Sequence, residues 1–450
     1  MKTTRFVAVA TTAVLATLFT RDASAAGFAL DVVSGRGTGM GSAQTGYIDD
    51  SSAIFYNPAG IAQGKVFDAQ VGVSLIAPSF SYKSPSGEKT TLPFSVVPPV
   101  NAFVSGGITD DLSVGVGLFT PYGLTLKWPD GWAGRHLISE ATLQTFYINP
   151  TVAYKLGPVR LGAGFQLVRA NVQLKRDIRF PGQDGGVDVG GSAWGVGANV
   201  GVQVEAVKQY LSFGVTYRSA VGLDFEGDAH FNNVPRGLAG TIHDQAVTTQ
   251  FTMPDQLALG VATHPIKKLV IDFDAVWFGW SKVREINIKF QDAASASLNS
   301  PEKKDWSNGV NFHLGAEGEL SDNWMLRGGV LVDPTPSPAD TLGPDIPDST
   351  RVNLALGGTW KHETGVHVDV GYQFIILTGK TSTLPQFQGD YGGFANVLGI
   401  SVGYSTPKAK EALNLPPADL TPPPPPDAAP ATAPTTPITP EPTPAPAPAL

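Results

Sequence analysis

Between Phe67 and Tyr404, apolar and small polar residues alternate with a period of two, in segments divided by turns and loops. The clearest run places Trp194, Val196, Ala198, Val200, Val202 and Val204 against Gly195, Gly197, Asn199, Gly201 and Gln203. Successive side chains of a strand point to opposite faces, so such a segment has one apolar face and one small or polar face. A strand of a closed membrane barrel has the same two faces, one toward lipid and one toward a lumen.

The pattern predicts about fourteen strands. They span residues 67–82, 99–108, 112–120, 142–154, 159–174, 191–206, 210–225, 247–263, 269–290, 307–320, 324–333, 352–361, 365–377 and 393–404. Short connections such as Thr109-Asp110-Asp111, Leu156-Gly157-Pro158 and Ser321-Asp322-Asn323 alternate with long ones centred near Ser86, Asp130, Gly182, Pro235, Ala296, Gly343 and Gln386. Outer-membrane barrels keep short periplasmic turns, long external loops and an even strand count. An even count puts both termini in the periplasm, and a soluble sandwich has no reason to keep this rotation. The closing strand carries an apolar stripe of Leu398, Ile400, Val402 and Tyr404. Trp128, Trp132, Trp277, Trp280 and Trp324 fall near strand ends or loops, where an aromatic belt sits.

Composition strengthens this reading. Charged residues make up 16% of the chain, against roughly 25% in ordinary soluble proteins, and low charge suits a surface wetted by lipid. The 51 glycines suit strands that tilt, kink or pack closely against a plug. A net charge of −8 without a Lys/Arg run argues against nucleic acid as a partner. Cysteine is absent, so the chain has neither disulfides nor thiolate chemistry. Lys2 and Arg5, an apolar run from Phe6 to Phe19, and Ala23-Ser24-Ala25 form a signal peptide over residues 1–25. No other stretch is long and apolar enough for a membrane helix, so the strands must close on themselves to satisfy their edges in lipid.

Two segments stand outside the predicted barrel of residues 67–405. Residues 26–66 are Gly-rich, carry no clean strand, and precede the first strand from the periplasmic side, as a lumen plug would. Residues 406–450 are dominated by Pro and Ala and favour extended polyproline II or disorder. Fully extended, that tail reaches on the order of 100 Å, as a spacer or as a contact to peptidoglycan or a periplasmic protein.

Catalytic patterns occur here only as accidents. Gly399-Ile400-Ser401-Val402-Gly403 matches an esterase elbow but lies within a predicted strand, where that motif needs a strand-to-helix turn. His362-Glu363 and His367 have the wrong spacing for a zinc-protease helix. No metal site, cofactor or energy source is implied, and no enzyme.

Several ordered blocks carry a family resemblance. Ala26-Gly27-Phe28, Asp49-Asp50 and Asn57-Pro58-Ala59-Gly60 form the first. Pro121-Tyr122-Gly123-Leu124, Trp128, Trp132, Gly134-Arg135 and Ile148-Asn149-Pro150 form the second. Trp277 with Trp280-Ser281, and Leu326-Arg327-Gly328 with Pro347-Asp348 and Arg351, complete the set. Together they resemble the long-chain fatty-acid transporters of the FadL/TodX family. The resemblance implies an all-β, fourteen-stranded antiparallel transmembrane barrel with an N-terminal hatch. External loops would catch a hydrophobic molecule, an apolar pocket beside the hatch would hold it, and hatch movement with a kink in the third strand would release it sideways. Gly115, Gly117 and Pro121 are the gate candidates, although the two glycines also suit plain lumen positions. Phe28 would touch the ligand or anchor the hatch to the wall. Among Lys175, Arg176 and Arg179, Arg176 is the choice for a ligand carboxylate, and such cations equally suit lipopolysaccharide phosphates. Arg327 falls in the polar phase of its strand and would pair with Asp49 or Asp50. Asn57-Pro58-Ala59-Gly60 would fix a turn that seats the hatch.

The expected function is passive uptake of hydrophobic molecules across the outer membrane, with long-chain fatty acids first and aromatic hydrocarbons as the alternative. Expected surroundings are outer-membrane lipids and lipopolysaccharide. A water-filled porin conflicts with the plug, and a structural tether acting through the tail is the third possibility.

Overall fold

A computed structural model describes residues 27–64, 66–292, 295, 299 and 301–406. The expected signal peptide at residues 1–25, and the expected tail from residue 407 onward, lie outside the described residues.

Fourteen antiparallel strands follow one another around a barrel. They are β1 (Phe67–Lys83), β2 (Val100–Gly107), β3 (Leu112–Phe119, resuming at Gly123–Lys127), β4 (Glu140–Leu156), β5 (Val159–Phe180), β6 (Gln183–Val207) and β7 (Leu211–Arg218, resuming at Val221–Asn232). Next come β8 (Gln245–Met253, resuming at Gln256–Ile266), β9 (Leu269–Phe278), β10 (Gly309–Ser321), β11 (Trp324–Asp333), β12 (Arg351–Lys361), β13 (Val366–Ser382) and β14 (Gly389–Ser405). β1 pairs with β14 from Asp68 opposite Ser405 to Lys83 opposite Asp390, which closes the sheet. Closure leaves no open edge where the first and last strands meet. Alternation places Val196 and Leu356 outward at 61% and 69% exposure, while Gln373, Ser401 and Asn353 are buried toward the lumen.

The structure corrects several boundaries. β5 and β6 run far beyond the predicted residues 174 and 191, and the expected long loop near Gly182 is a tight turn. Gly182 has φ +83°, a conformation glycine adopts without strain. Lys175-Arg176-Asp177 and Asp184-Gly185-Gly186 break the apolar alternation there, which hid the strands. β9 ends at Phe278 instead of residue 290, because the chain turns inward through Trp280–Lys282. Lys289–Phe290 returns to pair with β8. Pro254 interrupts β8, since proline cannot donate to a ladder. Of the five expected belt tryptophans, Trp128, Trp132 and Trp280 are buried. Trp324 is exposed, as are Trp194 and Trp360, which the loop-end criterion missed.

The hatch fills the lumen with α1 (Gly35–Gly39), α2 (Ala53–Tyr56) and a 3-10 turn at Pro58–Ile61. Ser34 caps α1 by accepting the Gly37 amide at 2.9 Å. Ile48, Ile54, Phe55 and Tyr56 share one core with the wall residues Phe103, Phe119 and Tyr147. A chain this irregular leaves backbone groups that its own turns cannot pair. Lumen-facing side chains pair them instead. Asp274 accepts from the amides of Gln44 and Thr45 (2.8 and 2.9 Å), and Asp272 accepts from Tyr47 (2.9 Å). Gln373 donates to the Thr38 carbonyl (3.0 Å), and Asn199 donates to that of Ile54 (3.1 Å).

Candidate functional site: an apolar cavity beside a broken strand

Beside the hatch lies a cavity of about 1420 Å³, counting its open mouth. Val172 and Leu174 of β5, Val187 and Val189 of β6, and Val247 and Phe251 of β8 supply apolar wall. The extended β5–β6 hairpin therefore builds part of the cavity.

Phe28 belongs both to this lining and to the hatch's anchor. Its ring is 3% exposed and lies 4.9 Å from Trp280, 5.7 Å from Phe251, 5.8 Å from Trp306 and 6.0 Å from Tyr122, centroid to centroid. The residue before it must be small: a Cβ on Gly27 would lie 2.8 Å from Trp280, and its φ is +66°. Gly27 donates its amide to Asp348 (3.2 Å), and its carbonyl accepts from Arg351.

The three basic candidates separate by their partners. Lys175 lines the cavity but is engaged by Glu140 (3.7 Å) and Asp188 (3.4 Å). Arg179 points to His136 (3.1 Å) and is outside the lining. Arg176 lines the cavity, and its side chain has no hydrogen bond or ion pair among the described residues. Two lining acids share one cation: Glu302 and Asp345 both hold the buried ammonium of Lys304, at 2.7 and 2.6 Å. Neighbouring Asp345, and then burial, push the Glu302 carboxyl up, with Lys304 and, more weakly, Arg176 opposing them.

The wall opens beside Phe28. The lower half of β3 pairs with β2 as far as Leu118 and with β4 throughout. The upper half, Gly123–Lys127, pairs with β4 and with no second strand among the described residues. The hatch covers the start of that free edge: Leu30 donates to the Pro121 carbonyl (2.8 Å), and Gly123 donates to that of Phe28 (3.0 Å). Pro121 lies at the break. Gly115 and Gly117 do not kink the strand, because both sit in regular ladder. A Cβ on either would lie 3.0 Å from Ile54, so they are seats for the hatch.

Arg327 faces the lumen at 5% exposure, but the expected direct pair with Asp49 or Asp50 is replaced by a relay. Arg327 holds Glu317 (2.9 Å) and Asp369 (3.0 Å), both on the wall. Glu317 in turn holds Arg36 of the hatch (2.8 Å), and Arg36 holds Asp49 (2.8 Å) and Asp50 (2.7 Å). Sequence reasoning missed Arg36 and Glu317, and also Asp272 and Asp274. The last two left a signal, being acids at alternate positions of an otherwise apolar strand.

Asn57 is fully buried. It donates to Thr45 (3.0 Å) and to Val202 of β6 (3.1 Å), and its Oδ1 accepts the Ala59 amide (3.2 Å), capping the turn that Pro58 begins. Replacing Asn57 by Ala is expected to loosen this seat by about 1–3 kcal/mol and to raise small-solute leakage through the folded barrel. Leakage and uptake that both stay at wild-type levels would remove Asn57 from this role.

Residues 16–405 match the family described as outer membrane protein transport protein (OMPP1/FadL/TodX). The chain belongs to this family. The long-chain fatty acid transport protein of Escherichia coli (strain K12) is 25% identical over 441 residues, covering 87% of this chain and 97% of the relative. Outer membrane protein P1 of Haemophilus influenzae (strain Rd) is 24% identical over 415 residues, covering 80% and 87%. Among solved structures, a Pseudomonas aeruginosa FadL homologue superposes with a TM-score of 0.75 at 18% identity, covering 84% of this chain and 99% of that one. The toluene transporter TodX of P. putida gives 0.66 at 16%, covering 86% and 99%. Like the rest of the FadL/TodX family, the protein is an outer-membrane transporter of hydrophobic compounds and not an enzyme.

Proposed function

We propose that this FadL/TodX-family barrel takes up long-chain fatty acids, with both termini in the periplasm. The observation that carries the reading is Arg176, a cation in the lining of a large apolar cavity whose guanidinium has no hydrogen bond or ion pair among the described residues. Each buried CH₂ contributes about 0.8 kcal/mol, so apolar wall supplies most of the affinity. Arg176 adds a charge-assisted bond that only an acid can use.

Release follows from the break in β3. Residues 28–30 cover the edge that β2 leaves open, so withdrawing them uncovers the cavity and the gap together. The aromatic-hydrocarbon reading keeps the same cavity and gap but gives Arg176 no role. Equilibrium binding of a labelled long-chain fatty acid and of toluene to the detergent-folded barrel separates the two. Arg176→Ala is expected to weaken acid binding by about tenfold and to leave toluene binding unchanged. Saturable toluene binding without acid binding would replace the fatty-acid reading.

A further inference from the structure

Three residues after Phe28 the hatch reaches a second, smaller cavity of about 430 Å³ counting its open mouth, which shares no lining residue with the first. Phe55, Tyr56 and Val276 line it together with Asp31, Arg218 and His313. Residues 28–31 are therefore a partition, with Phe28 on one cavity and Asp31 on the other.

The polar groups here are unusually free. Arg218 is 6% exposed and donates through Nη2 to the Phe55 carbonyl (2.8 Å). Its guanidinium lies 4.3 Å from the Phe55 ring centroid and 5.5 Å from that of Phe119. Its Nε and Nη1 have no hydrogen-bond partner among the described residues, nor has either nitrogen of His313, which is 3% exposed. Buried donors are almost always paired, and several orphans around one cavity point to a ligand or water that completes them. The Asp31 carboxylate likewise has no hydrogen bond or ion pair among the described residues; burial pushes its carboxyl above the usual range, while His313, Arg218 and Arg351 act in the opposite direction. Its backbone is fixed, since the Asp31 carbonyl accepts from Ser42 (3.0 Å) and Tyr56 (2.9 Å).

We infer that this chamber is a carboxylate site, that Asp31 is its resident carboxylate while the partition is closed, and that the acid headgroup of the cargo replaces it as the partition withdraws. The inference rests on the fatty-acid reading and adds a second stop to it. Two carboxylates cannot both stay ionised in so small a space beside one guanidinium, so headgroup and Asp31 compete. The placement suits release, because Phe119, on which Arg218 stacks, is the last residue of β3 before the break. Gln256, another lining residue, donates to the Tyr122 hydroxyl at that break (2.8 Å). A headgroup held by Arg218 leaves its tail next to the gap. A hydrocarbon has nothing to exchange with Asp31.

The test compares oleic acid with oleyl alcohol, in equilibrium binding to the full detergent-folded barrel. Asp31→Asn, which keeps the side chain's shape, is expected to tighten acid binding by about fivefold or more and to leave the alcohol within about twofold. Arg218→Gln is expected to weaken the acid by about tenfold with the alcohol unchanged, and Arg218→Lys to restore much of it. If Arg218→Gln unseats the hatch, the gain expected of Asp31→Asn still decides the matter. Equal shifts for acid and alcohol, or an unchanged preference in Asp31→Asn, would overturn the chamber while leaving the transporter reading intact. A wild-type barrel that binds the alcohol but not the acid would overturn both.

Discussion

Arg36→Met is expected to turn a closed barrel into a leaky one. Arg36 is 12% exposed on its side chain and is the cation that holds Asp49, Asp50 and Glu317 together. Its removal leaves Asp49 and Asp50 without this cation and Glu317 with Arg327 alone, and breaking such a buried pair costs about 3–5 kcal/mol. The strands do not depend on this residue, because their hydrogen bonds run from wall to wall. The expected result is a barrel with wild-type heat-modifiable mobility in detergent electrophoresis whose proteoliposomes admit small sugars. The network also has a pH sense. Burial alone would raise the Asp50 carboxyl, but Arg36 and the Ser52 hydroxyl hold it below its usual value. Its stabilisation is thus complete above the ordinary carboxylate pKa of about 3.9 and is lost as pH falls through the lower folded value. The contribution of Asp50 to holding the hatch should therefore be lost only in strong acid. Sugar-tight Arg36→Met proteoliposomes would show that the backbone contacts to Asp272 and Asp274 suffice to hold the hatch.

The fold was legible where one residue period met one physical boundary. Trp194, Val196 and Val200 alternate with glycine because lipid lies on one side of β6, so strand number and faces followed directly. The apolar alternation stops at Lys175-Arg176-Asp177 and Asp184-Gly185-Gly186, which is why the adjoining ends of β5 and β6 were read as a loop although they build cavity wall. The site was legible in part. Phe28 and Arg176 were found through a family resemblance, which marks positions without giving partners. Arg36 and Arg218 lie far in sequence from Glu317 and Phe119, and only closure of the barrel brings them together. Gly115 and Gly117 stayed open between a gate and a plain lumen position for a related reason. A missing side chain suits a kink and a close neighbour alike, and the neighbour, Ile54, lies some sixty residues away.

Glycine of this second kind explains much of the unusual composition, and it supports the sharpest mechanical prediction. The hatch's backbone runs against wall glycines wherever it comes closest. A Cβ on Gly214 of β7 would lie 1.8 Å from the Thr45 carbonyl oxygen, and one on Gly260 of β8 would lie 2.3 Å from the Gly46 amide nitrogen. Both approach the stretch that Asp272 and Asp274 hold by its amides and that Asn57 holds through Thr45. Overpacking a flexible core costs about 1–3 kcal/mol; here the obstacle is backbone, which cannot rotate aside, so the hatch must move as a body. Gly214→Val is expected to expel residues 44–47 from the wall, cut all three sets of contacts and displace Phe28 from the cavity floor. Fatty-acid binding should fall by about tenfold or more while protease gains access to the hatch. Gly222→Val is the control, since a Cβ there meets nothing within 4 Å. It adds the same side chain to the same strand and should change neither readout. If the two substitutions behave alike, the strand's tolerance for valine, and not the seat of the hatch, sets the outcome.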